Sequence, residues 1–440
     1  MRRAATAIAI LVSAGLCPSL ARAQVALGEA PAAGECFRYS VEFDLAGKLI
    51  VTQEGAKEEV RLAAKARHTF AERTLSAADG LPVRSVRYYE GAGASAVVAS
   101  ERSDRALPAD RRLIIAARGS DGTFCFSPAG PLTRDELDLV TEHFNPQCLA
   151  GLLPNKAVNV GDTWAVAPAA AQTACQFDGL LKNALVGKLT AAANGAATFT
   201  IEGTAEGIEN GAKVTLTVSA AGTFDTTAKR VTGLTWKQKD DRDQGPVAPA
   251  SQVDVTVVLK REALAAPPKE LGDVALAAVP KTDVPPALAL LRHTDPKNRY
   301  ELLYHRDWHV TGQTDQHLVL RLLDKGEFVA QATLVAWKKE AAGKHTPAEE
   351  FKKAANASPG WTPTRLLEDT ETSAPDGRWL YRIVTEGKME DLPVVQSFNL
   401  LAGPQGDQVA VTFAMKPDKV KAVGNRDREL LNAIAFPTKK

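Results

Sequence analysis

Hydrophobic and polar residues alternate with a period of two along most of the first 260 residues. Phe37, Tyr39, Val41 and Phe43 are separated by polar neighbours, and Leu45, Leu49 and Val51 carry the alternation on. Successive side chains of a strand point to opposite faces, so this pattern predicts strands with one buried face. Residues 61–70, 82–89 and 112–117 continue it. After Cys175 the signal sharpens into short alternating runs at 189–190, 197–202, 214–219, 222–225, 234–239 and 253–260. Asn194-Gly195 and Asn210-Gly211 fall between such runs. Both residue types tolerate positive φ, so each pair predicts a two-residue hairpin turn and the whole reads as an antiparallel meander.

One helix interrupts the strands. Thr133 is placed to cap free amides and Glu136 to reach back in a capping box, with Leu137, Val140 and Phe144 on one face and Pro146 as the stop. Gly161-Asp162 then reads as a turn before a buried Trp164, with Asp162 a turn residue and not a catalyst. The small-residue run 91–96 imitates a dinucleotide fingerprint. It lacks the following helix and acidic residue, so it reads as a hairpin loop.

Residues 265–296 hold Pro267, Pro268, Pro280, Pro285, Pro286 and Pro296 and no aromatic residue. Repeated proline breaks helices and stiffens a chain, which predicts a linker between two independently folding modules. Beyond it, residues 300–310 open a second module, with strands at 318–323, 330–337, 378–386, 394–401 and 408–415. Thr346 to Glu349 reads as a second capping box with Pro347 as first helical residue, and a closing helix carries Leu430, Leu431, Ile434 and Phe436. The expected fold class is α+β: a large antiparallel β half-barrel or barrel, then a smaller α/β/α sandwich with an antiparallel sheet. The expected boundaries are 1–23 signal peptide, 24–264 β-rich domain, 265–296 linker and 297–440 sandwich.

The signal reading rests on Arg2 and Arg3, an apolar run, and Ala21-Arg22-Ala23 as the cleavage site. Leu16 is too large to precede a lipidated Cys17, and the run is shorter than the ~20 residues of a spanning helix, so no transmembrane anchor is expected. Export to the periplasm or exterior is the expected localisation. In that oxidising setting Cys36, Cys125, Cys148 and Cys175 predict at least one disulfide, with three connectivities open. The formal net charge of +1 gives no reason to expect nucleic acid as a partner.

Catalytic signatures are missing. There is no Gly-x-Ser-x-Gly, and His305-Arg306-Asp307 lacks the other parts of a kinase loop. On one continuous strand His305 and His309 would stand about 13 Å apart, too far to share an ion, so neither they nor His317 predict a metal site. The run Asp240-Asp241-Arg242-Asp243 reads as a solvated loop. No catalytic residue and no cofactor is expected.

Tyr304, Trp308 and Val310 resemble the aromatic opening of the PsbP-like α/β/α sandwich family, with His305-Arg306 in place of its usual proline. The first module, a large sheet with one helical segment between its halves, resembles LolA- and LprG-type half-barrel carriers. These resemblances imply a non-enzymatic binding protein, with an apolar or lipid-like ligand in the first module and an envelope protein partner on the second. The alternatives are a purely structural envelope protein and a hydrolase whose paired carboxylates lie far apart in sequence.

Overall fold

The computed structural model describes residues 24–437 apart from 54, 120–121, 142 and 281–282; the expected signal peptide lies outside the described residues. The first half of the chain forms β1 (Val25–Leu27), β2 (Cys36–Gln53), β3 (Ala56–Ala78), β4 (Leu81–Val98), β5 (Glu101–Ala106), β6 (Leu113–Gly119) and β7 (Gly122–Phe126). It then returns through β8 (Lys156–Val158), β9 (Thr163–Ala165), β10 (Gly179–Asn183), β11 (Val186–Ala193), β12 (Ala196–Glu209), β13 (Ala212–Asp225), β14 (Arg230–Arg242) and β15 (Ala250–Ala263). Thirteen of these build one sheet, ordered β7-β6-β4-β3-β2-β15-β14-β13-β12-β11-β9, with β5 beside β4 and β10 beside β12. β7 and β9 end the path without pairing with each other, so the sheet is open and the closed-barrel alternative falls.

Both predicted hairpins form, with Asn194 and Gly195 at φ 51° and 77°, and Asn210 and Gly211 at 48° and 78°. The run 91–96 is not a loop. It lies inside β4, where residues without bulk pass beside the register shift at Thr69/Phe70. The two meanders meet at a central seam, where β2 pairs with β15 over fourteen positions from Ala250↔Ile50 to Ala263↔Phe37.

Residues 127–178 cross one face of this sheet from the β7 edge to the β9 edge. They carry α1 (Arg134–Thr141), a 3-10 helix (Pro146–Leu152) and α2 (Pro168–Cys175). The capping box at α1 forms as expected: Thr133 N donates to Glu136 Oε2 at 2.8 Å and Glu136 N to Thr133 Oγ1 at 3.2 Å. The 3-10 helix is wholly buried, Phe144 lies 5.6 Å from Trp236 ring to ring, and Trp164 Nε1 donates to Leu152 O at 2.9 Å. Buried polar groups fasten the segment. Arg87 donates to Glu72 at 2.6 Å and to Asn145 Oδ1 at 2.8 Å, and Gln147 Nε2 to Ser85 Oγ at 2.9 Å. This part of the sheet's face is therefore filled by the chain itself.

The Pro-rich stretch is not a bare bridge. Leu271 and Val279 are buried on the opposite face of the sheet with Ala71, Val86, Ile115 and Phe126. Arg73 and Arg84 donate to Leu271 O and Pro280 O at 2.9 and 2.6 Å. Proline suits this role as well as a linker, because an extended strap needs few backbone partners of its own.

After α3 (Pro286–Ala289), the remaining strands are β16 (Leu291–Thr294), β17 (Glu301–Tyr304), β18 (Trp308–Gln313), β19 (His317–Asp324), β20 (Glu327–Ala336), β21 (Trp361–Ser373), β22 (Trp379–Met389), β23 (Leu392–Ala402), β24 (Gln408–Met415) and β25 (Ile434–Ala435). Seven form the antiparallel sheet β18-β19-β20-β24-β23-β22-β21, while β16, β17 and β25 form a small second one. Helix α4 (Ala348–Asn356) packs Phe351 and Ala355 on one face of the larger sheet. On the other lie α5 (Val420–Val423) and α6 (Arg426–Asn432), whose Val423, Leu430 and Leu431 join the core. The expected helix residue Ile434 is instead in β25. The second capping box does not form: Gln408 Nε2 holds Thr346 Oγ1 at 3.1 Å, and α4 begins after Pro347 without a side-chain cap. Among the described residues no helix is long and apolar enough to cross a membrane.

Candidate ligand cleft at the junction of the two sheets

Strand β14 presents Leu234, Trp236, Gln238 and Asp240 on the face that the crossing segment covers, since alternate residues share a face. The first three are buried and Asp240 is half-buried where that layer ends. A relay of hydrogen bonds runs outward: Trp236 Nε1 donates to Gln238 Oε1 at 2.7 Å, and Gln238 Nε2 to Asp240 Oδ2 at 3.0 Å. Asp240 Oδ1 is buried and has no protein partner. Burial pushes the Asp240 carboxyl up to about 7; the Gln238 hydrogen bond opposes this, and the charges of Glu209 and Asp254 add to it. Near neutral pH the group is thus shared between acid and carboxylate.

Asp240 lies in a cleft of about 500 Å³. Its walls include Leu137, His143, Cys175, Asp178 and Glu209 on one side, and Arg306, His309 and Val310 on the other. A second cavity of about 790 Å³ shares Asp178, Asn210, Arg306 and His309 and continues it. Arg134 Nη2 donates to His309 Nδ1 at 2.9 Å, and Arg134 Nε lies 3.6 Å from Asp138. Burial, then the neighbouring Arg134 charge, holds His309 down to about 4, so the imidazole accepts this bond in its neutral form. Arg306 is anchored by donating to Ala289 O and Cys125 O at 2.9 and 2.8 Å, with its guanidinium 3.8 Å over the Phe124 ring. Burial pulls it down to about 10. The cleft floor is therefore acidic around Asp240 and Glu209, and Arg306 supplies the cation of its far wall.

The thirteen-stranded and seven-stranded sheets touch firmly here. Arg321 Nη1 donates to Pro246 O at 2.6 Å, and a Cβ on Gly211 would meet Gly326 O at 2.1 Å, so only a residue without one fits that turn-to-turn contact. Leu132 and Leu291 form a parallel bridge.

The three histidines weighed for metal go separate ways, because the chain turns at 305–307 and the continuous strand expected there is broken into β17 and β18. His305 pairs with Asp307 at 3.1 Å, His309 with Arg134, and His317 with Thr314 at 3.1 Å. Asp162 serves its turn, accepting from Asn159 N at 2.8 Å. Cys36, Cys125, Cys148 and Cys175, from which at least one disulfide is expected, stand here as free, buried thiols. Asp240 was hidden by its setting in an acidic run. The signal that reveals it is the alternating row Leu234, Trp236, Gln238, Asp240, which carries strand character to residue 240.

A second open surface lies on the same face at the other end of the sheet. Cross-strand pairs Leu49↔Val60, Gly47↔Leu62 and Leu45↔Ala64, then Leu62↔Val98 and Ala64↔Ala96, set an apolar row there. Leu49, Val60, Leu62, Ala64 and Ala96 are only half-buried, and Val98 is exposed.

No family model matches the chain, and no curated protein does. Among solved structures it is similar to cyanobacterial PsbP from Synechocystis, at 17% identity over 34% of this chain and 93% of that one, TM-score 0.26. It is similar to the Ran-binding protein Mog1p of Saccharomyces cerevisiae at 11% identity over 33% and 95%, TM-score 0.26. The lipid-binding protein lipovitellin is similar at 8% identity over 56% of this chain, TM-score 0.33, and the match spans only 27% of lipovitellin. The PsbP resemblance expected from Tyr304, Trp308 and Val310 thus returns as a weak structural likeness. At these identities and TM-scores none of the three carries an argument about function.

Proposed function

We propose that the chain is an exported, non-enzymatic binding protein whose ligand site is the cleft between its thirteen-stranded and seven-stranded sheets. The observation that carries this reading is Asp240. A desolvated carboxyl with one unpartnered oxygen lies on the floor of a cleft of about 500 Å³, facing the wall that carries Arg306. Buried polar atoms without partners are costly, so such an oxygen favours a ligand that donates to it. The ligand class is a small polar molecule with an ammonium or similar donor at one end and an acceptor or anionic group at the other. Calorimetric titration with lysine, β-alanine and γ-aminobutyrate tests it. Saturable one-to-one binding that Asp240→Asn weakens at least tenfold is the expected result. Heats indistinguishable from dilution for all three would end the reading.

A lipid-like ligand is the second reading, and the open row Leu49, Val60, Leu62, Ala64 favours it. Each buried methylene contributes roughly 0.8 kcal/mol, so part of an acyl chain laid there would bind measurably. Saturable binding of a fluorescent fatty acid, abolished by Leu62→Asp, is the expected outcome. Binding unchanged in that variant rejects the site.

A further inference from the structure

We infer that Cys148 and Cys175 are a paired redox site, the two thiols that close into a disulfide during folding in an oxidising medium, while Cys36 and Cys125 stay reduced. The four cysteines after Cys17 allow three pairings of the whole set, and the strand register removes Cys36–Cys125. Cys36 faces Arg73, which faces Val86, then Ile115, then Phe126. Phe126 is thus four strand spacings from Cys36, about 19 Å, and Cys125 is one residue further on and turned to the other face. A disulfide needs Cα atoms within roughly 7 Å, so these two cannot join. Cys36 belongs to the cluster under the Pro-rich strap, with Leu271 and Val279. Cys125, Cys148 and Cys175 belong to the core on the opposite face, so the sheet itself stands between Cys36 and all of them.

Cys148 and Cys175 sit on two helices that touch. A Cβ on Gly151 of the 3-10 helix would come 2.7 Å from Ala170 Cβ of α2, a closeness that only glycine permits. Cys148 is one 3-10 turn before Gly151, and Cys175 a little over one α-turn after Ala170. The two thiols are electrostatic neighbours: after burial, the Cys175 charge is the largest influence raising Cys148. Cys125 responds instead to Arg87, Arg306 and Glu72.

Burial raises both thiols, Cys175 to about 12, and exchange requires thiolate. Closure therefore precedes the seating of residues 127–178. One thiolate attacks a small-molecule or protein disulfide, releasing a thiolate and leaving a mixed disulfide. The other thiolate attacks the protein sulfur of that mixed disulfide and releases the second thiolate. The pair loses two electrons and two protons, and the external disulfide becomes two thiols.

The test is refolding of the reduced, denatured chain in a glutathione redox buffer, which does not depend on where the protein resides. Alkylation under denaturing conditions and peptide mapping follow. Among these four, modified thiols at Cys36 and Cys125 and one cross-linked species joining the Cys148 and Cys175 peptides are expected. In natively folded reduced protein, closure under the same buffer is expected to be at least tenfold slower than during refolding. Modification of all four of Cys36, Cys125, Cys148 and Cys175 after oxidative refolding, or a cross-link that includes Cys36 or Cys125, overturns the inference.

Discussion

The two ends of the large sheet are made from the same strands and differ in what lies upon them. At one end Phe70, Glu72, Ser85, Arg87 and Tyr89 are buried beneath residues 127–178, and the Pro-rich strap covers the reverse face. Further along β2, β3 and β4, Leu49, Val60, Leu62 and Ala96 alternate with polar neighbours in the same way yet remain partly open. Alternation therefore marks which face of a strand is apolar without saying what covers it. A carrier needs that face bare, whereas a scaffold needs it filled. This chain does both on one sheet, at opposite ends.

Breaking the fastening at the filled end should have the largest effect. Arg87→Ala leaves the Glu72 carboxylate buried without its cation, and removing one partner of a buried pair costs about 3–5 kcal/mol. Denaturant unfolding reads this as a lowered midpoint. Next comes Phe144→Ala, which empties the contact with Trp236 and should cost about 3 kcal/mol, read the same way. A loss below about 1 kcal/mol in both would mean that the crossing segment is only loosely seated.

The cleft should respond to pH in two opposite senses. Asp240 has a folded pKa raised to about 7, so its contribution is full below about pH 4, the unfolded value, and is lost as pH rises through 7. His309 is held down to about 4, so its contribution is present above about 6.5 and lost as pH falls through 4. Asp240→Asn should remove a decline of about 1–2 kcal/mol between pH 5 and 8, a figure discounted for partial exposure. Unfolding curves across that range check it, and parallel curves for wild type and variant would contradict it. The smallest effect belongs to the bare end, where Leu62→Ser should shift stability by less than about 1 kcal/mol. A loss as large as that of Phe144→Ala would show that the face is covered after all.

Much of the strand framework was legible because half-buried strands and Asn-Gly turns write their geometry into local sequence. The α1 capping box was legible for the same reason. The remainder of the crossing segment was not. The 3-10 helix Pro146–Leu152 is buried on every side and α2 is largely alanine, so neither has the polar face on which periodicity depends. Thr346 imitated a cap because its partner, Gln408, is distant in sequence. The strap escaped notice because proline content looks alike whether a chain spans a gap or lies against a sheet. Asp240 escaped because its three charged neighbours suggested solvent. Its place in the cleft comes from a wall that the second sheet supplies.

The seam between β2 and β15 has a consequence in time. Ile50 meets Ala250 and Phe37 meets Ala263, strands some two hundred residues apart, whereas their other neighbours are joined by short turns. Loop-closure entropy makes such a pairing late and slow, because it is paid before the pairing returns anything. During synthesis β2 to β7 emerge long before β15 exists, and until then the outer edge of β2 is an unpaired strand eighteen residues long. A nascent chain in that state is a template for another copy of itself. What shields that edge before residue 250 appears will decide how much of the protein reaches its native form.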